Sequence, residues 1–267
     1  RQAFSDMPAL RRLIAPGDSV CNCIADTRDF VSDAERRHTE VTLTTALYGA
    51  ALAAGASCFI QLSTVMVYGF DRPHSAIDED FPAQPRFSYN RIAWEREQAL
   101  MRDYRDALPL TLLRPSNALG RRDTSFLPGF VAAHRWRLFP LIGSGRWSFS
   151  CIDARDIGRC VAHLLDQPAR GVEVFLVKGY DTDWLAFKTT LDQARGQASY
   201  RLHLPKTGML ALGRVLEFSR RLGARPALSR FSVSVLSTNT LFDDSRIRAT
   251  GFAPIYSLAE SLAEALP

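Results

Sequence analysis

Two hydroxyl side chains in this sequence have a spacing that could support proton transfer. Thr64 ends a buried apolar stretch, S-C-F-I-Q-L-S-T, and Tyr89 opens a helical pattern twenty-five residues later. A hydroxyl at the end of a strand and a phenol at the start of the next helix can converge on one substrate oxygen. A phenol has a pKa of about 10, so it acts as a base near neutral pH only where a cation or an ordered donor stabilises the phenolate. The structural alternative is that Ser63 and Thr64 bond to strand-end backbone and Tyr89 is a half-buried core aromatic.

The residue four positions after Tyr89 limits the chemical interpretation. Side chains four apart share one face of a helix, but residue 93 is an alanine, and no lysine occurs before Lys178. Arg96, one turn beyond Ala93, could supply a positive charge, although a planar guanidinium is not equivalent to an ammonium group. Arg91, two residues from Tyr89, should point away.

The elements that must position these residues alternate between strands and helices. This rhythm predicts right-handed crossovers, a parallel sheet and a doubly wound α/β fold. In such folds ligands bind outside the carboxyl ends of the strands, where the Ser63-Thr64 and Arg114-Pro115 pairs lie. The predicted strands are 18–25, 57–64, 108–115 and 172–177, and the predicted long helices are 34–55, 88–106 and 154–166.

The chain divides into a sheet domain and a smaller lobe. We expect residues 1–119 and 151–180 to form the sheet domain, and residues 120–150 and 181–267 to form a lobe over its carboxyl edge. A short first helix, M-P-A-L-R-R-L-I, has Ser5 or Asp6 as its predicted cap. The chain after Asp181 reads as mostly helical. The stretch 208–222 is predicted to be a packed helix rather than a membrane anchor, because charged residues interrupt it.

Composition narrows the possible classes of protein. The chain has 267 residues, 46% of them apolar, which suits one large domain or two small ones. Its net charge is +5, but the charges are interleaved, so a nucleic-acid partner is not expected. Five cysteines occur without a second Cys/His pair at metal spacing, which favours buried free thiols and no metal site. No apolar run is long enough to span a membrane, and we expect a cytoplasmic protein without a membrane partner.

Six motifs together resemble the extended short-chain dehydrogenase/reductase family, in its NAD-dependent epimerase/dehydratase group. The resemblance covers essentially the whole chain. The motifs are D-S-V-C-N-C-I-A (18–25), S-T-V-M-V-Y-G (63–69), Y-N-R-I-A-W-E-R-E (89–97), L-L-R-P-S-N-A-L-G (112–120), F-P-L-I-G-S-G-R-W-S-F-S-C-I-D-A-R-D-I (139–157) and F-A-P-I-Y-S-L (252–258).

The resemblance implies a Rossmann-like fold, NAD or NADP as cofactor and a small-molecule substrate. Thr64 would hydrogen-bond the reacting oxygen, and Tyr89 would move a proton while the cofactor moves a hydride. Tyr89 would also lie along the cofactor with four other residues: Ala25, Ser63, Pro115 and Asn117. A homodimer through helices 34–55 and 88–106 is implied as well. Asp156 matches a family aspartate, and we expect it to cap helix 157–166.

The sequence departs from the family in two places. The family's tyrosine helix carries lysine four residues after the tyrosine, and here that position is Ala93. The N-terminal G-x-x-G-x-x-G turn, which receives pyrophosphate, is absent from the sequence. We therefore expect a fragment or a naturally shortened chain, with strand 18–25 at an unpaired apolar edge of the sheet.

The substrate and the activity are inferred from the family resemblance and from the residues around position 149. Nucleotide-sugar relatives often carry an arginine seven residues before the family aspartate; here that place is Phe149, and Arg146 is a candidate substitute. The nearby aromatics could suit an apolar alcohol or ketone, or could simply pack the lobe. The expected function is an NAD(P)-dependent oxidoreductase or epimerase, impaired by Ala93. The alternative is an inactive relative that serves as a binding or regulatory module, and a nucleic-acid binder ranks last.

Overall fold

The computed structural model describes residues 7–28, 31–104, 108–124, 126–167, 169–219 and 229–266. The strands are β1 (Ser19–Asn22), β2 (Cys58–Leu62), β3 (Leu110–Pro115), β4 (Asn117–Leu119), β5 (Leu138–Ile142), β6 (Ser148–Asp153), β7 (Val172–Val177), β8 (Tyr180–Asp183) and β9 (Tyr200–Leu204). The helices are α1 (Met7–Leu13), α2 (Asp33–Arg37), α3 (Leu43–Ala54), α4 (Ser88–Tyr104), α5 (Leu127–Arg135), α6 (Ala154–Leu165), α7 (Trp184–Ala194), α8 (Lys206–Ser219), α9 (Arg230–Leu236), α10 (Ser245–Arg248) and α11 (Leu258–Ala265). The predicted caps of α1, Ser5 and Asp6, lie outside the described residues.

A parallel sheet with the order β1–β2–β3–β7 forms the centre of the molecule. Successive residues of a strand face opposite sides. Phe59 and Leu112 therefore pack with α3 and α4 on one face, whereas Ile60 and Leu113 pack with α6 on the other. The predicted doubly wound α/β fold is confirmed. Within the described residues, β1 pairs with β2 and no strand pairs with its other side.

Two predicted elements have different bounds in the structure. The helix predicted over 34–55 is divided by a π-helical turn, His38–Thr42, between α2 and α3. Strand 18–25 ends early at Asn22, because the Asn22 Oδ1 accepts a hydrogen bond from the Ile24 amide at 3.0 Å. The Asn22 amide group also donates to Gln61 at 2.8 Å, which fixes the end of β1 beside β2.

The predicted capping role of Asp156 is wrong. Asp153 is the N-cap of α6 and accepts from the Arg155 amide at 2.8 Å. Asp156 is fully buried in the first turn, where it accepts from the backbone amides of Ile255 and Tyr256 at 3.1 Å each. Its carboxylate therefore holds the C-terminal segment 252–258 against α6.

The lobe contains more strand than the sequence predicts. β8 and β9 both follow Gly179, so the expectation of a mostly helical chain after Asp181 is only partly correct. β4, β6 and β8 form a three-stranded sheet, and β5 pairs in parallel with β9. These strands and the helices α5 and α7 enclose a cluster of aromatic rings: Phe126, Phe130, Phe139, Phe149, Trp184 and Phe187.

The predicted helix 208–222 corresponds to α8, with residues 220–228 outside the described part. One side of α8 packs on α9, where a Cβ at Gly213 would lie 3.1 Å from the Arg230 amide nitrogen. The other side is exposed, so the predicted packing holds for one face only. No helix among the described residues is long and apolar enough to cross a membrane.

A buried network of charges joins α4 to the ends of β2 and β3. Glu97 on α4 accepts hydrogen bonds from the Arg114 Nε, at 3.0 Å, and from the Ser63 hydroxyl. The Arg114 Nη1 donates to the Tyr68 hydroxyl at 2.5 Å. Glu97 and Arg114 are almost fully buried, and each neutralises the other, so no ion is left without a partner. The network fixes α4 against the carboxyl end of the sheet.

Replacing Arg114 should therefore destabilise the fold strongly. Arg114→Met leaves Glu97 as a buried charge without its partner, and we expect a loss of about 3–5 kcal/mol in the free energy of unfolding. Urea denaturation monitored by circular dichroism measures this loss. Arg37→Met is the matched control, because Arg37 pairs with Glu95 at the surface and should change stability little. Equal effects of the two substitutions would contradict a structural role for the buried network.

Candidate active site

Thr64 lies at the carboxyl end of β2, where the chain enters a 3₁₀ turn, Val65–Tyr68. Its backbone is extended and its Oγ1 accepts from the Met66 amide at 3.2 Å, so Thr64 is the N-cap of this turn. The turn ends at Gly69, whose φ is 68° and where a Cβ would lie 2.2 Å from the Gln84 carbonyl oxygen. Only glycine fits there, and the turn holds the buried Thr64 in one position.

Tyr89 is the second residue of α4, and the Thr64 side chain lies beside its hydroxyl, where it stabilises the phenolate. The structure thus brings together the two hydroxyls that the sequence singled out. The phenol ring makes an edge contact with Phe231, at 5.6 Å between centroids, and the Arg36 guanidinium carbon lies 5.7 Å from the ring centroid. Arg36 is itself buried and donates to the Ser88 hydroxyl at 3.1 Å.

The surroundings of Tyr89 favour its neutral form. Burial raises the pKa of the phenol, and the Glu40 carboxylate raises it further. The Thr64 side chain and the positive charges of Arg96 and Arg36 lower that pKa, but the balance stays above the ordinary value. At neutral pH the phenol is therefore protonated and is a proton donor.

A buried ion pair lies near Tyr89, along the face of α4 that carries Ala93. Ala93 is 1% exposed and packs in an apolar cluster with Val65 and Val67. Arg96, almost two turns beyond Tyr89, pairs with Glu40 and donates to the carbonyl oxygens of Ile24, at 3.3 Å, and Leu62, at 3.2 Å. Arg96 thus bridges the carboxyl ends of β1 and β2. Its Nε is buried without a hydrogen-bond partner among the described residues.

Glu40 and Arg36 are site residues that the sequence reasoning missed. Glu40 lies four residues before Thr44 and seven before Leu47, both buried, so it occupies the buried face of its helix. A charge on such a face was the available signal. Arg36 had no comparable signal, because its burial depends on the approach of α4. The expectation for Arg91 is consistent with the structure: it is partly exposed and pairs with Asp33 and Glu95.

The predicted cofactor-binding residues lie along the carboxyl ends of the strands. Ala25 is exposed just beyond β1, and two half-buried residues, Pro115 at the end of β3 and Asn117 at the start of β4, follow on the next strands. The Asn117 amide group donates to the Ser150 carbonyl oxygen at 2.9 Å, and the Ser63 hydroxyl is bound to Glu97. The exposed Ala25 leaves the end of β1 open, which suits a flat ring system lying across the strand ends.

The two predicted substrate residues of the lobe lie apart from this site. Phe149 is 1% exposed and stacks on Trp184 with 4.1 Å between ring centroids, which favours the packing alternative. Arg146 is exposed in the turn between β5 and β6. Neither side chain lines the cavity beside Tyr89.

A cavity of about 320 Å³ opens beside Tyr89, between the start of α4 and the helices α8 and α9. It is lined by charged and aromatic side chains from three parts of the chain. They are Val31, Asp33, Arg36, Arg86, Phe87, Ser88, Tyr89, Glu217, Ser229, Arg230 and Phe231. Two of the three arginines are paired with carboxylates, Arg230 with Glu217 and Arg86 with Asp71, and Asp33 also lines the cavity. The remaining guanidinium N–H groups and the phenol suit a substrate with both an anionic group and a hydroxyl or carbonyl group.

Residues 3–177 of the sequence match the NAD dependent epimerase/dehydratase family. The chain belongs to this family. The match covers the parallel sheet, Thr64 and Tyr89, and the family's dependence on NAD confirms the cofactor class predicted from the sequence.

Two curated proteins are similar to most of the chain. An N-acetyl-alpha-D-glucosaminyl-diphospho-ditrans,octacis-undecaprenol 4-epimerase of Escherichia coli O157:H7 is 26% identical over 263 residues, which covers 96% of this chain and 79% of that protein. A 4-hydroxy-2-methyl-3-oxo-4-farnesyl-3,4-dihydroquinoline-1-oxide ketoreductase of Stigmatella aurantiaca is 26% identical over 250 residues, covering 91% and 75%. Among solved structures, a UDP-glucuronic acid 4-epimerase from Bacillus cereus in complex with NAD superposes with a TM-score of 0.76 at 18% identity, covering 97% of this chain and 76% of that one. This last likeness concerns the fold.

Removing the Glu40 charge should lower the pKa of Tyr89. Glu40→Gln removes the negative charge that raises this pKa. It also leaves the positive charge of Arg96, which lowers the pKa, without its counter-charge, so both effects lower the pKa of Tyr89. An NMR titration with ¹³Cζ-labelled tyrosine, assigned by comparison with Tyr89→Phe, measures the change. Glu95→Gln is the control, because Glu95 lies on the same helix at the surface. An unchanged Tyr89 pKa in Glu40→Gln would contradict the electrostatic coupling.

Proposed function

We propose that this protein is an NAD(P)-dependent oxidoreductase of the epimerase type, which acts on a hydroxyl or keto group of a diphosphate-linked sugar. The observation that carries the proposal is the proximity of the Thr64 and Tyr89 side chains, beside a cavity that three arginines help to line. The dinucleotide-binding part would be residues 1–119 and 151–180, and the substrate lobe residues 120–150 and 181–267. A cytoplasmic location and a homodimer through helices 34–55 and 88–106 stay predictions.

The cofactor would lie across the carboxyl ends of the strands. Ala25, Ser63, Pro115 and Asn117 would border it, with the reactive ring next to Tyr89. NAD or NADP, when bound, accepts a hydride from a carbinol carbon and can return it to a carbonyl carbon. The open strand end at Ala25 supports this placement.

The chain's own groups would handle the proton and the substrate oxygen. The Thr64 hydroxyl would hydrogen-bond the reacting oxygen, and Tyr89 would donate a proton to that oxygen during reduction. During oxidation Tyr89 must be ionised, and the nearby positive charges of Arg36 and Arg96 favour that form. The raised pKa therefore makes oxidation the step that is more sensitive to pH.

The substrate class is inferred from the cavity together with the relatives. Arg36, Arg86 and Arg230 line the cavity, and guanidinium groups bind phosphate oxygens well. By their names, the Escherichia coli relative acts on a sugar joined through a diphosphate to a polyprenol, and the Stigmatella aurantiaca relative acts on a farnesyl compound. A sugar diphosphate that carries an isoprenoid chain combines these features, and a nucleotide sugar is the water-soluble alternative.

A second candidate function is favoured by Ala93. The family's lysine is missing, and the pKa of Tyr89 is raised rather than lowered. A protein with this site could bind a cofactor or a sugar diphosphate without turnover and serve as a binding or regulatory module.

Cofactor binding is the first test of the enzyme proposal. We expect NADH or NADPH to bind the full-length protein, because the family is NAD dependent and the strand ends near Ala25 are open. Fluorescence titration with each reduced nucleotide measures the dissociation constant, with adenosine monophosphate as the control ligand. Failure of both nucleotides to bind would remove the basis for the enzyme proposal.

A lysine at position 93 tests whether the site lacks only a cation. Ala93→Lys should lower the pKa of Tyr89 and raise turnover about tenfold or more at neutral pH, since the proton carrier would then be tuned towards neutrality. Steady-state kinetics across a pH series measures both effects. Ala93→Met is the matched control, because it adds similar bulk to this buried position without charge. Equal turnover in the lysine and methionine variants would show that the missing cation does not limit the site.

A further inference from the structure

An apolar stripe on α8 faces solvent. Leu212, Val215 and Phe218 are 45%, 64% and 59% exposed, although residues at this spacing share one side of a helix. The opposite side of α8 packs closely on α9 at Gly213. Single exposed apolar residues are ordinary on a protein surface, but three on one helical face form an apolar patch of the kind that marks an interaction site.

The segment that contains the stripe also carries the protein's excess positive charge. Between residues 206 and 230 there are six basic residues and one acidic residue, Glu217. This difference of five equals the net charge of the whole chain, +5, so the remainder of the sequence is neutral on balance. The basic residues are Lys206, Arg214, Arg220, Arg221, Arg225 and Arg230. An apolar helix face in a basic segment is typical of helices that lie in the plane of an anionic membrane surface.

A second group of exposed apolar side chains leads into α8. The β5–β9 ribbon exposes Leu138, Tyr200 and Leu202, and Trp136, 81% exposed, precedes β5. Only Pro205 separates β9 from α8. Exposed tryptophan and tyrosine are the aromatic residues enriched at membrane–water interfaces.

The stripe borders the cavity of the candidate active site. Glu217 of α8 pairs with Arg230 at 2.7 Å, and both line the cavity beside Tyr89. Phe218, the next residue after Glu217, belongs to the exposed stripe. Any surface to which α8 binds would therefore lie close to the entrance of that cavity.

We propose that α8 is an interfacial helix that binds the protein to anionic lipid membranes. Its 14 residues span about 21 Å, too short to cross a bilayer, so the helix would lie in the headgroup region. A second copy of the chain is a poorer occupant, because a symmetric contact through α8 would bring two strongly basic segments together. The proposal departs from the sequence-based expectation of no membrane partner.

Membrane binding would bring the protein to a substrate that is anchored in the bilayer. An isoprenoid-linked sugar diphosphate is held by its chain in the bilayer, with its sugar and phosphates at the surface. A helix that lies on the surface would bring the cavity beside Tyr89 to the depth of those polar groups. This use of the surface rests on the proposed function, whereas the binding itself rests on the exposure and charge of α8.

Vesicle co-sedimentation of the full-length protein tests the binding without cofactor or substrate. We expect binding to vesicles that contain phosphatidylglycerol, and much weaker binding to pure phosphatidylcholine or at high salt. The triple variant Leu212→Ser/Val215→Ser/Phe218→Ser should lower the partition coefficient about tenfold or more, and Arg214→Gln about fivefold. Ile255→Ser is the control, since Ile255 is also exposed, at 62%, but lies outside α8.

The outcomes separate this proposal from its alternatives. Absence of binding by the wild type, or equal binding by the triple variant, overturns it. A dimer that is lost in the triple variant, without any vesicle binding, assigns the stripe to a second copy and also overturns it. Circular dichroism checks that the variants are folded, and Val215→Ser alone gives the same comparison if the triple variant unfolds. Because no cofactor is present, a failure here is distinct from a failure of nucleotide binding.

Discussion

The candidate site depends on two buried ion pairs that fix the rotation of α4 about its axis. Arg96 and Glu97 are adjacent and buried, and they pair with charges on different elements, Glu40 and Arg114. Adjacent residues of a helix point about 100° apart, so two pairs in two directions leave the helix one orientation. Tyr89, seven residues before Arg96, lies on the same side as that arginine. The two pairs therefore set where the phenol points.

The same ion pairs determine the electrostatics around the phenol. In the family pattern a lysine one turn after the tyrosine supplies a positive charge, and here Ala93 leaves an apolar contact. The positive charge of Arg96 is largely offset by Glu40, which itself raises the pKa of Tyr89. Arg36 is the other cation that lowers the pKa of Tyr89. The site thus combines the neighbouring Thr64 and Tyr89 side chains with a phenol that holds its proton more tightly than a free tyrosine does.

Much of this arrangement could be predicted from the sequence. Buried strands separated by helices predicted a parallel sheet, and the positions of Thr64 and Tyr89 predicted that both hydroxyls lie at its carboxyl edge. The Glu40–Arg96 pair could not be predicted, because its partners are 56 residues apart and meet only when α4 packs on the preceding helix. Asp153 and Asp156 are three residues apart and both suit a helix cap. In the structure Asp153 caps α6, because the Asp156 carboxylate is bound by the backbone amides of Ile255 and Tyr256, which are about 100 residues away in the sequence. For α8, the apolar pattern predicted a helix but could not say which face the lobe would cover.

The central claim is that Tyr89 carries the proton in a hydride-transfer reaction, and a single-turnover oxidation tests it most directly. Protein loaded with oxidised nicotinamide is mixed with a polyprenyl-diphosphate-linked sugar in detergent, and the absorbance of the reduced nicotinamide is followed by stopped flow. The account predicts that reduced nicotinamide forms faster as pH rises, and at least about 100-fold more slowly in Tyr89→Phe than in the wild type. Equal rates in the two proteins, with no dependence on pH, would contradict the account.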